Sequence, residues 1–423
     1  MPRRRECSFR DALTSLIAPR RIRFLAELLG AVKRVRKIDV VALVYSLVLG
    51  FAAGNRRTLA SLRRGYERAT ETTLAPSSFY KRLTEPLAKL LQQLAEEAMA
   101  ALAKRRQRLG RRFRSFREVL AVDGTLIRLH DALAPHYSSV WTHYMKASAK
   151  LHMVMNVVGR GARSILLTDG SRQDVRLLEV GDWVRGRLLV FDLAYFKFQL
   201  FEQIDEHGGR FLSRLKQKAN PRILRGDLAG KYLREVVHQL SGTFVDFDVE
   251  VTYGGGRRAR RLELRVIGHW YEKEKVYRFY LTNVPRPQLA AEHVAAVYAA
   301  RWEIELLFRE IKVHYRIEQL PTRKLAVAQC LIYAALLALC LSRKLRSQLV
   351  GNDRTQRYTF DRWAIVFAHL AADFLELACG RRADRARLER RLCQLLAHEV
   401  ADPNIRRLPL AVRAQHGLLR RAA

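Results

Sequence analysis

Cysteine is scarce and scattered: Cys7, Cys330, Cys340, Cys379 and Cys393 form no C-x2-C pair and have no histidine at zinc-finger spacing. Such an odd, dispersed set argues against structural zinc and fits reduced thiols in a cytosolic core. Long hydrophobic runs are also missing. The most apolar stretch, LAVAQCLIYAALLALCL from Leu325, is interrupted by Gln329 and falls short of the roughly 20 residues that span a bilayer. It reads as a buried helix. The N-terminus, MPRRRECSFRDALTSL, has no apolar signal core followed by a cleavage site, so the expected location is the cytoplasm, associated with the nucleoid of a bacterial-type cell, with no membrane partner. Internal repeats and low-complexity tracts are absent. Acidic residues are few, 41 against 77 Lys and Arg, which leaves a formal charge of +36. That excess repels itself in the folded state and implies a polyanionic partner, nucleic acid ahead of an anionic membrane surface.

What is present suits a globular protein of two or three domains: 423 residues, 49% of them hydrophobic. Residues 1–117 read as a helical, basic DNA-binding region. Within it, NRRTLASLRRGYERA starts at a capping Asn55, and APSSFYKRLTEPLAKLL starts at Ser77 or Ser78. The pair resembles a helix, a turn and a second helix with Lys81 and Arg82 in its first turns. A DNA-reading helix and a pair that merely packs both fit this pattern. The run KRRQRLGRRFRSFR from Lys104 holds eight basic and no acidic residues in fourteen, which makes Arg111 and Arg112 candidates for phosphate contact.

At Glu118 the pattern changes period. REVLAVDGTLIRLH, KLHMVMNVVG and RSILLTDG read as three successive strands, RQDVRLLEVGDWV as a helix, and RLLVFDLAYF as a buried strand ending at Asp192. Strands and helices in that order predict a mixed α/β sheet covered by helices. Residues 118–219 would form its first part. Residues 220–285 read as a β-rich insertion that turns at Gly254, Gly255 and Gly256, residues 286–324 as a helix-bearing segment, and residues 325–423 as a C-terminal helical region suited to dimerisation and DNA contacts.

YAARWEIELLFREIK, from Tyr298, reads as one helix. At about 100° per residue, Arg301, Glu305 and Lys312 fall within roughly 60° of Tyr298, beside an apolar stripe of Ile304, Leu307, Phe308 and Ile311. Asp123 and Asp192 lie in apolar strands, where a carboxylate is costly unless paired or bound to metal. With Glu305 they make three carboxylates in a basic protein, the donor set of two-metal phosphoryl transfer. Tyr298, Arg301 and Lys312 would then hold the substrate's phosphate backbone, because the site must bind cations and an anion together.

The spacing Y-x2-R-x3-E-x6-K over Tyr298, Arg301, Glu305 and Lys312 resembles the signature of bacterial DDE transposases of the insertion-sequence-four group, to which the transposase of transposon Tn-five belongs. VDGT around Asp123 and FDLAYF around Asp192 look like that family's first two acidic motifs. The resemblance implies a ribonuclease-H-like catalytic core with a β-strand insertion, flanked by helical regions. It implies Asp123, Asp192 and Glu305 as catalytic metal ligands for two Mg²⁺ ions, with Mn²⁺ able to substitute. It further implies hydrolysis that frees a 3′-OH at each element end and strand transfer into target DNA by a synaptic homodimer on double-stranded DNA. It implies too that an aromatic residue of the insertion can stack on a base flipped from the cut end; Trp270 and Tyr271 fit either that role or that of an ordinary surface or core aromatic. The competing expectations are a catalytically silent DNA-binding protein and a nuclease on the same core that does not join strands. His130, His136, His143 and His152 read as groove or surface residues, Asp169 and Asp182 as turn residues, and Asp174 as a helix-start charge.

Overall fold

The computed structural model describes residues 8–32, 38–52, 58–103, 114–140, 143–158, 161–256, 259–320, 322–350 and 360–400. Asn55, Arg111, Arg112 and Cys7 lie outside them. Six helices come first: α1 (Phe9–Leu16), α2 (Pro19–Leu28), α3 (Val40–Ala52), α4 (Leu59–Thr70), α5 (Pro76–Tyr80) and α6 (Glu85–Ala103). In α6, Leu87, Leu90, Leu91, Leu94 and Ala98 recur at helical spacing and are buried. The second helix of the expected helix-turn-helix is shorter than the sequence suggests. α5 begins at Pro76, with Ala75 at the cap position and no side-chain cap, and the chain after it tightens through three-residue hydrogen bonds before α6 begins. Ser77 and Ser78 are therefore inside the helix rather than capping it, and Lys81 and Arg82 follow it in the turn. Pro at the first helical position fixes that start.

The α/β part follows in the expected order: β1 (Val119–Arg128), β2 (Ser148–Asn156), β3 (Gly161–Asp169), the single turn α7 (Asp174–Leu177), β4 (Leu188–Phe191), α8 (Phe198–Glu206) and β5 (Arg210–Arg214). The helix expected over Arg172–Val184 is reduced to α7 and a 3-10 turn at Asp182–Val184, because its residues Leu178–Gly181 run extended or bend. β6 (Arg222–Ile223), α9 (Leu233–Val236), β7 (Phe244–Tyr253), β8 (Arg260–Tyr271) and β9 (Val276–Thr282) come next. All nine strands join one sheet in the order β3-β2-β1-β4-β5-β9-β8-β7-β6. β1, β4 and β5 are parallel and every other pairing is antiparallel. The first five strands have the ribonuclease-H-like order, and the inserted strands extend the same sheet from β5.

Strand alternation divides the core in two. Val119 and Ala121 of β1 and Val190 of β4 face the helices that include α6 and the later helical elements. Leu120, Val122, Leu189 and Phe191 face α8 on the other side. There Phe201 stacks on Phe211 with ring centroids 4.1 Å apart.

The chain then forms α10 (Ala291–Ala299), α11 (Trp302–Val313), α12 (Leu325–Val350), α13 (Phe360–Cys379) and α14 (Arg382–Glu399). α12 is long and apolar enough to cross a membrane, yet it is mostly buried inside the protein against α6, α3 and α1. Its reading as a buried helix holds. The N-terminal and C-terminal helices share one hydrophobic core. A buried ion pair joins α12 to α11: Arg343 donates to both carboxylate oxygens of Glu310, at 3.2 and 2.5 Å.

Candidate active site

Val122 and Phe191 are register partners on the parallel strands β1 and β4. Asp123 and Asp192 come immediately after them, so the two carboxylates sit side by side at the end of the shared ladder. Open α/β sheets place ligands at this kind of carboxyl-terminal strand edge. Each Asp is fixed by its own following backbone. Gly124 N–H donates to Asp123 Oδ1 at 2.8 Å, and Ala194 N–H donates to Asp192 Oδ1 at 2.8 Å, which makes Asp192 the cap of a 3-10 turn over Leu193–Tyr195.

Glu305 approaches from α11, held by the buried Ile304, Leu307, Phe308 and Ile311. The expected single helix from Tyr298 to Lys312 is in fact two. α10 ends at Ala299, and Ala300, Arg301, Glu303 and Ile304 all make three-residue hydrogen bonds across the junction. This tightening sets Arg301 at the head of α11. Its Nη1 lies 2.6 Å from Glu305 Oε1 and 3.5 Å from Asp123 Oδ2. Lys312, at the far end of α11, is paired instead with Glu318 at 3.1 Å.

The electrostatics follow from this crowding. Burial, then the charge of Asp192, pushes Asp123 up to about 7, with Glu305 adding to the rise while Gly124 N–H and Arg301 oppose it. Burial opposes the charge of Arg301, but Tyr298, Glu305 and Asp123 outweigh it and raise its pKa. Among the described residues no three His, Cys, Asp or Glu side chains meet tightly enough to form a ready-made metal cluster. Arg301 is the cation that links two of the three carboxylates.

Next to Arg301 opens a cavity of about 290 Å³ lined by Arg214, Arg278, Tyr271, Tyr298 and Trp302 among others. Tyr298 packs on Tyr280 at 5.2 Å between centroids, and Arg278 lies 4.1 Å over the Tyr271 ring. Trp270 is on the opposite face of β8, against Tyr277, with its indole N–H donating to Glu272 at 2.7 Å. Arg214, Arg278 and Trp302 were not singled out by the sequence reading; they become visible only when β5 pairs with β9, which sets Arg214 opposite Tyr280.

A family model described as a transposase DDE domain matches residues 114–341, more than half of the chain. The chain belongs to the DDE transposase family. The transposase is similar over most of its length to the transposase for insertion sequence element IS231B of Bacillus thuringiensis subsp. berliner, 21% identical over 410 residues that cover 86% of this chain and 85% of that one. The IS231D transposase of B. thuringiensis subsp. finitimus is 23% identical over 413 residues, with the same coverage. The IS1151 transposase of Clostridium perfringens is 23% identical over 239 residues, 46% of this chain and 50% of its own. Membership makes this protein an insertion-sequence transposase of the DDE kind, acting on DNA with divalent metal.

Two further sequence readings change. His152 is buried rather than in a groove or on the surface, because it points from β2 into the packed face that holds Tyr195. Asp174 does start α7, but its carboxylate serves Lys150 at 3.0 Å rather than the helix end alone. His136 and His143 are exposed, and His130 caps the 3-10 turn Asp131–Leu133 through Nδ1. Asp169 accepts from Ser171 N–H at 3.2 Å, as a turn residue should, and Asp182 opens its 3-10 turn.

Proposed function

We propose that Asp123, Asp192 and Glu305 hold two Mg²⁺ ions, with Mn²⁺ able to substitute, and that this centre cuts DNA at the element ends and joins them to target DNA. The observation that carries the reading is the adjacency of Asp123 and Asp192 across β1 and β4, with Glu305 linked to Asp123 through Arg301. The donors are all carboxylate oxygens, which suits a hard divalent cation, and their mutual repulsion is the kind that cations relieve. Bound there, the ions would supply Lewis acidity and an activated water.

The chain's own residues position the DNA. Arg301 lies between the carboxylates and the aromatic cavity, so its fork can take the phosphate next to the cut bond, with Tyr298 beside it. Lys312 adds a point charge further along the helix. Tyr271 and Trp302 flank the cavity and offer faces on which an unstacked base can lie, while Trp270 serves the DNA from the other face of β8. Lys81, Arg82, Arg111 and Arg112 contribute phosphate contacts from the N-terminal region. Two copies act together, one at each terminal inverted repeat, in the cytoplasm. Incubation with a supercoiled plasmid carrying both ends tests the reading: excision and joined products in Mg²⁺ support it. Cleavage without joining would leave a nuclease, and end binding without cleavage in either metal would leave a silent binder.

A further inference from the structure

Behind the two aspartates, on the face of the sheet opposite Asp123, three buried polar atoms have no hydrogen-bond partner: Asp174 Oδ1, His152 Nε2 and Tyr195 Oη. They come from three separate elements. His152 is the register partner of Gly124 across β1 and β2, its ring is 5.6 Å from that of Tyr195, and both side chains are almost wholly buried. Asp174 is held from its other oxygen by Lys150, which also donates to the carbonyl of Arg172 at 2.6 Å. Buried polar groups are rarely left unmade, since each costs about 1–3 kcal/mol. Three at one place therefore point to one shared arrangement.

The cluster touches the supports of both aspartates. A Cβ placed on Gly124 would lie 2.3 Å from Asp174 Oδ1, so the carboxylate rests directly against the glycine whose N–H fixes Asp123. Tyr195 closes the turn that Asp192 caps. Burial, together with the charges of Asp174, Asp123 and Asp192, keeps the Tyr195 phenol protonated, and burial holds His152 down at about 4 and therefore neutral. The phenol is thus a donor, the Asp174 carboxylate an acceptor, and the imidazole either one according to tautomer.

We propose that Asp174, His152 and Tyr195 form one hydrogen-bonded network, closed through an ordered water, that positions Asp123 and Asp192 from behind the sheet. These three are positioning residues that act through Gly124 and the Leu193–Tyr195 turn. The inference rests on the reading of Asp123 as a metal ligand. Outer partners of metal ligands typically change affinity by about 10- to 100-fold when removed. It also explains why glycine follows Asp123: any side chain there would displace Asp174.

The test is Mn²⁺ binding by the full chain, read as free Mn²⁺ by electron paramagnetic resonance, alongside thermal melting. The variants are Asp123→Asn, Tyr195→Phe and Asp174→Asn. The network predicts that Tyr195→Phe and Asp174→Asn each bind Mn²⁺ about 10- to 100-fold more weakly while Tyr195→Phe remains fully folded at the temperature of the binding assay. A structural role alone would change the melting temperature and leave the affinity of the folded variants unchanged, which overturns the inference. Wild-type affinity in Tyr195→Phe overturns it too, and that variant alone decides the matter where Asp174→Asn does not fold. Equal binding by wild type and Asp123→Asn would instead remove the metal-site reading on which the inference stands.

Discussion

Arg301 and Glu305 are joined at 2.6 Å one helical turn apart, and the same guanidinium nitrogen lies 3.5 Å from Asp123. One arginine thus balances two of the three carboxylates proposed as metal ligands. Arg301→Ala should raise the mutual repulsion of the carboxylates, so Mn²⁺ should bind more tightly to the DNA-free protein. The same change should weaken binding of element ends, since a fork for phosphate is lost. Calorimetry with Mn²⁺ alone and gel shifts with end DNA separate the two effects. Weaker binding of both ligands would contradict this account.

Asp123 sets a pH dependence. Its folded pKa of about 7 is well above the unfolded value of about 3.9, so the metal-free fold binds the extra proton between those limits. The sign follows: this group's contribution to stability is fully present below about pH 4 and is lost as pH rises to about 7. A cation must displace that proton. Metal affinity should therefore climb up to about tenfold per unit as pH approaches 7 and level off above it. Titrations with Mn²⁺ across that range measure the slope, and Asp123→Asn should flatten it.

The cavity beside Arg301 should read as a DNA contact in salt titrations. Arg278→Ala or Arg214→Ala should weaken end binding and reduce the slope of log affinity against log salt by about one. An unchanged slope would place the phosphate elsewhere.

The Glu310–Arg343 pair fastens the helix of Glu305 to α12, with both side chains about 95% buried and Tyr315 donating to Glu310 at 3.1 Å. Removing one partner strands a buried charge. Arg343→Met should cost about 3–5 kcal/mol in denaturant unfolding, and Glu310→Met combined with it should recover much of that loss.

The three candidate carboxylates were legible because each stands on or at the end of a regular element. Apolar strands ending in Asp and an apolar stripe beside Glu305 reveal their faces without any knowledge of the fold. The three-strand, helix, strand order likewise showed the α/β core. What escaped depended on contacts across the sheet. Asp174 reads as a helix start alone until the fold lays α7 against β1 and its carboxylate against Gly124. Lys150-x-His152 was the available signal, two polar residues in the interior of a strand whose other interior residues are apolar. The break at Ala300 and Arg301 had no warning because no Gly or Pro marks it. Arg214 and Arg278 needed the β5–β9 pairing, which joins strands far apart in sequence.

The most direct test of the three-carboxylate centre compares Asp123→Asn, Asp192→Asn and Glu305→Gln with wild type on plasmid carrying both element ends in Mg²⁺. Cleavage should fall by about 10³-fold or more in each variant while end binding is kept, and combining two changes should add little, as for residues that act as a unit. A variant that cuts and joins at the wild-type rate would contradict the assignment of that carboxylate to the catalytic centre.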